Sequence, residues 1–310
     1  VKRLRFLVSL ITEDNDFQVE QAAVAEETAR RIGVDIEIIY ADNDPINQSQ
    51  QLLKIIQGPA SAHPNGIVLE PVSGTALPQV ARAAAAAGIG WAVINREPDY
   101  IPDLRRTAKA PIFSVSCDHL EIGRIQGQQC GALSPKDGTA VYIQGPSDNI
   151  GAKQRATGMQ QSKPPGMKLI LLKGQWTEES AYRAVSSWMR LSTSQKLPVS
   201  LVAAQNDAMA MGARKALQEH ADPAVRDRWL ALPYLGCDGV PKTGQSYVRS
   251  GLLAATVVIP PNTKPALETL AEATQKGTQP PALALTVPSS FPPLDQLTLG
   301  RAEKPGVVLK

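Results

Sequence analysis

Residues that can read hydroxyl groups recur directly behind short apolar runs of this chain. Asn15 and Phe17 follow the run at 6–11, and Glu70 and the pair Asn95-Arg96 close two further runs. Asn206 follows the run at 201–204, and Asp238 ends "YLGCDG". Asp118, Arg155 in "KQRATGM" and Gln175-Trp176 in "GQWTEES" complete the set. Carboxylates accept hydrogen bonds, Arg donates in a planar fork, and Asn does both, so such a set can read neighbouring hydroxyls in either direction. Phe17 and Trp176 offer flat apolar area for the C–H face of a sugar ring. The mixture suits a polyol or sugar better than an apolar ligand.

Each residue also has a plainer reading. Asp118 and Asp207 serve equally well as helix caps, accepting free N–H groups of a first turn. Trp91 reads as strand core, Trp188 as helix core, and Trp229, after "DPAVRDR", as the opening of a strand. Glu70 reads as a loop carboxylate. The repeated placement of such residues behind apolar runs, more than any one of them, points to a ligand.

The elements that must hold these residues alternate along the chain. "RFLVSLI", "DIEIIYA", "GIVLEPV" and "WAVINRE" read as strands, separated by helix-like segments at 19–32, 46–57 and 77–88. The pattern restarts with a helix at 120–133 and strands at "TAVYIQG", "KLILLKG", "LVAAQND", "YLGCDG" and "LAATVVI". Alternation of this kind predicts an α/β chain with parallel sheets covered by helices on both faces. There are two such units in tandem and no Pro/Gly/Ser linker between them. In open parallel sheets, ligands bind beyond the carboxyl ends of the strands, which is where the polar residues stand. Two lobes facing each other would gather both sets around one cleft. The Pro-rich stretch 287–310 lacks helical periodicity and reads as an extended strap.

Catalytic and cofactor motifs fail one by one. Residues 239–246, "GVPKTGQS", imitate a phosphate loop, but Gln245 stands where the Lys belongs. The first strand is not followed by G-x-G-x-x-G, and G-x-S-x-G is absent. His63, His119 and His220 lack zinc-ligand spacing, and "TEDND" lacks the Gly and terminal Glu of a calcium loop. His63 and His220 read as solvated, while His119 is a minor candidate to face a ligand. Cys117, Cys130 and Cys237 show no C-x-x-C and read as buried thiols. No catalytic residue, metal or cofactor is therefore expected. At 310 residues, 43% hydrophobic and 20% charged, the chain can bury a large core. Its net charge of +3 is scattered, which argues against nucleic acid as a partner.

The sequence resembles the type 1 periplasmic binding proteins of the ribose/galactose-binding group, relatives of LacI-type effector domains. The resemblance spans residues 4–287. It rests on "NDF", "GIVLEPVSGTALPQVARAAAAAGI", "VINRE", "SCDHLEIGRIQGQQ", "RATGM", "AQNDAMAMGARKAL", "GCDG" and "GLLAATV", in that order. It implies two Rossmann-like lobes, residues 1–115 with 260–286 and residues 116–259 with 287–310. Three hinge crossings would join them, with the ligand cleft between. By position it implies ligand contacts from Asn15, Phe17, Asn95, Arg96, Arg155, Asn206 and Asp238, with Trp176 as a stacking surface and Asp207 capping the helix behind Asn206. Gln18, Asp118, Glu179 and Ile259 are secondary candidates. Gln18 replaces a second stacking Phe, Asn95 replaces an Asp, Glu179 lies at or near an aromatic position, and Ile259 replaces a Gln. These exchanges point away from ribose, toward another sugar, sugar acid or polyol.

The resemblance further implies a solute-binding protein that closes on a sugar-like molecule, with no enzyme activity. It would be a monomer delivering to the membrane permease of an ABC importer, and extracytoplasmic once a leader is removed; the cytoplasm stays open as an alternative. A sensing module read by a kinase, chemoreceptor or regulator is the alternative function.

Overall fold

The computed structural model describes residues 3–72, 77–191, 194 and 197–297. Two compact units share the chain unequally. The first takes the chain up to Cys117 and again Pro260–Thr286; the second takes Asp118–Ile259 and the described residues from Val287 on. The backbone therefore passes between units three times.

The first unit is built on strands β1 (Arg5–Leu10), β2 (Asp35–Tyr40), β3 (Gly66–Leu69), β4 (Gly90–Ile94) and β5 (Ile112–Cys117), joined late in the chain by β11 (Leu283–Thr286). Their order is β11-β5-β4-β3-β1-β2, parallel throughout. β3, β4 and β5 are buried along their whole length, as strands covered on both faces must be. Helix α1 (Asp16–Ile32) and helix α11 (Thr263–Lys276) cover one face, where Phe6, Val8, Val115 and Leu270 interlock. Helices α2 (Pro45–Ile56), α3 (Pro78–Ala86) and α4 (Ile101–Thr107) cover the other, around Leu52, Ile67 and Trp91.

The second unit repeats this plan with β6 (Thr139–Gln144), β7 (Lys168–Lys173), β8 (Val199–Ala204), β9 (Tyr234–Asp238) and β10 (Ala255–Val258). The order is β12-β10-β9-β8-β6-β7, and only β12 (Ser289–Phe291) runs antiparallel, against β10. Helices α7 (Glu178–Met189), α8 (Asp207–Gln218), α9 (Pro223–Leu230) and α10 (Gly244–Arg249) enclose one core with Val202 and Trp229. Helices α5 (His119–Leu133) and α6 (Ile150–Ser162) lie over the other, around Met159 and Leu201. The expected fold, two lobes with parallel sheets, is what the chain adopts.

In both units the chain moves from the first strand to one neighbour and then reverses, placing the third strand on the first strand's other side. The reversal lies between β1 and β3, and again between β6 and β8. Such reversals open a crevice at the carboxyl ends of the strands.

Some elements lie beyond the sequence reading. β5 was hidden because Ser114 and Ser116 interrupt its apolar pattern, although both are buried. Trp229 opens no strand: it sits in α9, fully buried, edge-on to Trp188 with ring centroids 5.6 Å apart. Of the stretch read as a strap, residues 289–291 form β12 and Leu297 packs into the core beside α5, while residues 298–310 lie outside the described residues.

Candidate functional site

The residues behind β1, β3 and β4 converge on Glu70. One of its carboxylate oxygens, Oε2, accepts from Gln18 Nε2 at 2.8 Å and from Asn95 Nδ2 at 2.7 Å. Gln18 is held from its other end, where Oε1 accepts from the Ile11 N–H at 2.9 Å. Gln48 Nε2 donates to the Glu70 carbonyl and to Ser9 Oγ, fixing the backbone beneath. Asn15 Oδ1 caps α1 by accepting from Phe17 N and Gln18 N, which sets the direction in which the half-buried Phe17 leaves the helix. Asn95 has φ 59°, and Arg96 Nη1 donates to its carbonyl at 2.9 Å.

In the second unit the centre is Arg155, projecting from α6 and only 7% exposed. Nη1 donates to the Gln205 carbonyl behind β8 and stands 3.6 Å from Cys237 Sγ. Nε donates to His119 Nδ1 at 3.4 Å, and the guanidinium lies 4.0 Å from Asp238 Oδ1. Its carbon also sits 5.3 Å from the centroid of the Trp176 ring, a cation–π arrangement. Burial pushes the Cys237 thiol well above its ordinary pKa, with Arg155 opposing, so the sulfur beside the guanidinium is a neutral thiol.

Three devices fix Trp176. Its backbone is in the left-handed region at φ 64°, a genuine outlier for a bulky side chain. Its carbonyl accepts from Asn206 Nδ2 at 2.9 Å. Its ring lies on Gly145, where a Cβ would come within 2.3 Å of the indole, so only glycine leaves room. Asp238 is likewise left-handed, at φ 99°. Residues held in such conformations concentrate at functional sites, and three of them here, Asn95, Trp176 and Asp238, are residues already singled out by type and position.

A buried layer of amides lies under the strand ends. Gln205 Oε1 accepts from Gly145 N, while its Nε2 donates to Tyr142 Oη and the Ala152 carbonyl. Gln126 Nε2 donates to the carbonyls of Ala204 and Gly236. Such fully used amides hold the strand ends rigid. Sequence reading missed Gln126, Gln205 and the central place of Glu70. The signal was present as polar residues inside otherwise apolar segments.

The remaining candidates divide. Asn206 is the N-cap of α8, accepting from Met209 N at 2.9 Å, so the expected role of Asp207 as cap is corrected. Asp207 instead turns inward, and its two oxygens accept from Gly239 N and Thr256 Oγ1. Gln18 and Asn95 each use one amide N–H and the amide oxygen on partners within the first unit. Asp118 caps α5 by accepting from Glu121 N. Glu179 is well exposed and pairs with Arg183 one turn on, an arrangement that needs no ligand. Ile259 is an apolar buried side chain whose N–H donates to the Asp238 carbonyl at 3.0 Å. The three cysteines are buried and none is in a disulfide. Among the described residues, no His/Cys/Asp/Glu group is placed to hold a metal, and no helix is long and apolar enough to cross a membrane.

Comparison with known proteins bears on the fold and the family. The family described as "Periplasmic binding protein domain" matches residues 6–276. The ribose import binding protein of Escherichia coli is 24% identical over 79% of this chain and 76% of its own length. The D-apiose import binding protein of Paraburkholderia graminis is 30% identical over 68% of this chain and 65% of its own. The xylitol-binding protein of Mycolicibacterium smegmatis is 29% identical over 70% and 57%. In three dimensions, an ABC transporter periplasmic solute binding protein from Actinobacillus succinogenes with bound D-allose superposes with a TM-score of 0.80 at 19% identity, covering 97% of this chain and 99% of that one. The strand order of each unit and the extent of the sequence match lead to one assignment: this chain belongs to the periplasmic binding protein domain family.

Proposed function

We propose that the protein captures one small polyhydroxylated molecule, a sugar or polyol, and releases it unchanged to the permease of an ABC importer outside the cytoplasm. The observation that carries this reading is the group Arg155, Trp176 and Asp238. It sets a cation, a rigid aromatic face and a carboxylate side by side at the strand ends, with two of the three backbones held left-handed. Arg155 and Asp238 supply a donor fork and an acceptor for adjacent hydroxyls, and Trp176 supplies the surface for a ring's C–H face. Within the first unit, Phe17, Asn15 and Arg96 are further candidate sugar contacts, while Gln18 and Asn95 act by holding Glu70. Relatives that bind ribose, apiose and xylitol support the ligand class. The absence of a second Phe at position 18 argues for a ligand other than ribose.

Thermal melting against D-ribose, D-allose, D-apiose, xylitol, myo-inositol and several sugar acids at millimolar concentration tests this reading. A ligand present at 100 times its Kd adds about 2.7 kcal/mol, a shift of several degrees at this size. Mass spectrometry of the denatured supernatant identifies any molecule carried through purification. A flat panel with no carried ligand overturns the proposal, and so does conversion of the bound molecule to product.

A further inference from the structure

A single hydrogen-bonded chain runs through the first unit from its ligand-side residues to the ends of its crossing segments. Gln18 donates to Glu70, and Asn95 donates to the same oxygen. Asn262 Nδ2 donates to Asn95 Oδ1, and Thr286 Oγ1 donates to Asn262 Oδ1 at 2.8 Å. Cys117 Sγ then donates to the Thr286 carbonyl at 3.4 Å. The far members are the crossing points themselves. Cys117 and Thr286 are the last residues before two passages out of the unit, and Asn262 is the third residue after the passage back in. The near members adjoin the proposed ligand contacts, Gln18 beside Phe17 and Asn95 beside Arg96. Gln18, Glu70, Asn95, Asn262 and Cys117 are all less than a tenth exposed, so water competes little for these bonds.

We infer that Asn262 and Thr286 are positioning residues for ligand binding, acting through Asn95 and Glu70, and that this relay ties the ligand-side residues to the backbone at the crossings. An amide chain suits the task. Each Asn or Gln donates at one end and accepts at the other, so displacing one member leaves a buried group unpaired unless the next follows. The left-handed backbone of Asn95 marks the link where a shift in the chain meets the residue preceding Arg96. The inference takes from the proposed function the assignment of Phe17 and Arg96 as ligand contacts; the relay itself is independent of any ligand.

Thr286→Val removes the Oγ1 donor at nearly constant shape, and Thr286→Ser retains it. Hydrogen exchange on the ligand-free protein reads the relay directly, because the Ile11 amide is protected by the Gln18 side chain at the opposite end. Faster exchange at Ile11 and at 95–97 in Thr286→Val, restored in Thr286→Ser, is expected. Exchange that changes only around residue 286, or equally in both variants, overturns the relay. Titration with the tightest sugar of the panel above supplies the second readout. Thr286→Val should weaken binding at least fivefold, Thr286→Ser less than twofold, and Thr286→Val should add nothing in an Asn95→Ala background. Affinity unchanged in Thr286→Val, or fully additive losses, overturns the positioning role. If the exchange effect is present and no sugar binds the wild type, the relay stands and the sugar reading falls.

Discussion

One residue separates Asn206 from Asp207, and their roles are opposite. Asn206 has extended backbone angles and caps α8, whereas Asp207 is the first helical residue and sends its carboxylate inward to Gly239 N and Thr256 Oγ1. Asp207→Asn sets an NH2 group against one of those donors and should destabilise the fold by roughly 1–3 kcal/mol in urea unfolding, the cost of an unsatisfied buried partner. Asn206→Ala should cost about 1 kcal/mol as a lost cap. It should weaken ligand binding further, because Trp176 loses its carbonyl anchor. Equal affinity in Asn206→Ala and wild type would separate Trp176 from the ligand. The sequence showed that both residues stand behind a buried strand. It could not show which one takes the cap, since that turns on a backbone angle at a single position. The same limit hid Glu70: a loop carboxylate in sequence becomes central only when residues 18 and 95 are brought to it. By contrast the positions of Trp176 and Asp238 behind β7 and at the end of β9 were legible, because both close short apolar runs; that Arg155 from α6 meets them is a tertiary fact.

Where helices cross, small residues decide how far a functional side chain can reach. α5 and α6 pass so closely that a Cβ on Gly123 would lie 2.0 Å from the Arg155 carbonyl, and one on Gly158 would lie 2.0 Å from the Leu120 carbonyl. Backbone, not a flexible side chain, opposes each added methyl, so Gly158→Ala must push the helices apart. The expected cost is about 1–3 kcal/mol of overpacking, measured by denaturant midpoint. Because Arg155 rides on α6, the same variant should lose ligand affinity, while Glu179→Gln, at an exposed position paired with Arg183, should lose neither. Gly158 lies within "RATGM" and Gly123 within "HLEIGRIQG", yet nothing in either stretch shows that the two segments pack together. Local pattern announced the helices; their close approach is a tertiary fact. Strand β5 shows the converse failure, where two buried serines disguise a strand that the sheet requires between β4 and β11.

At the scale of the whole molecule, two units of like topology each close their own cores, so each has its own stability to read. The second unit offers a built-in probe of this. Burial pushes the Cys130 thiol up to about 12 and holds the Cys237 thiol and the Tyr142 and Tyr234 hydroxyls above their ordinary values. The unfolded chain releases these protons near pH 8.5 for thiols and 10 for tyrosines. Between those values and the higher folded ones, the native state holds more protons, so stability is intact below about pH 8 and declines as pH rises beyond it. Ellman's reagent should therefore find no reactive thiol in the native protein at pH 8 and three after denaturation. In an alkaline titration, near-ultraviolet circular dichroism from the edge-on Trp188–Trp229 pair should report loss of the second unit. The proposed ligand binds the folded state alone, so saturating sugar should move that midpoint to higher pH. A midpoint unmoved by a sugar that shifts the thermal melt would take Arg155, Trp176 and Asp238 out of the site.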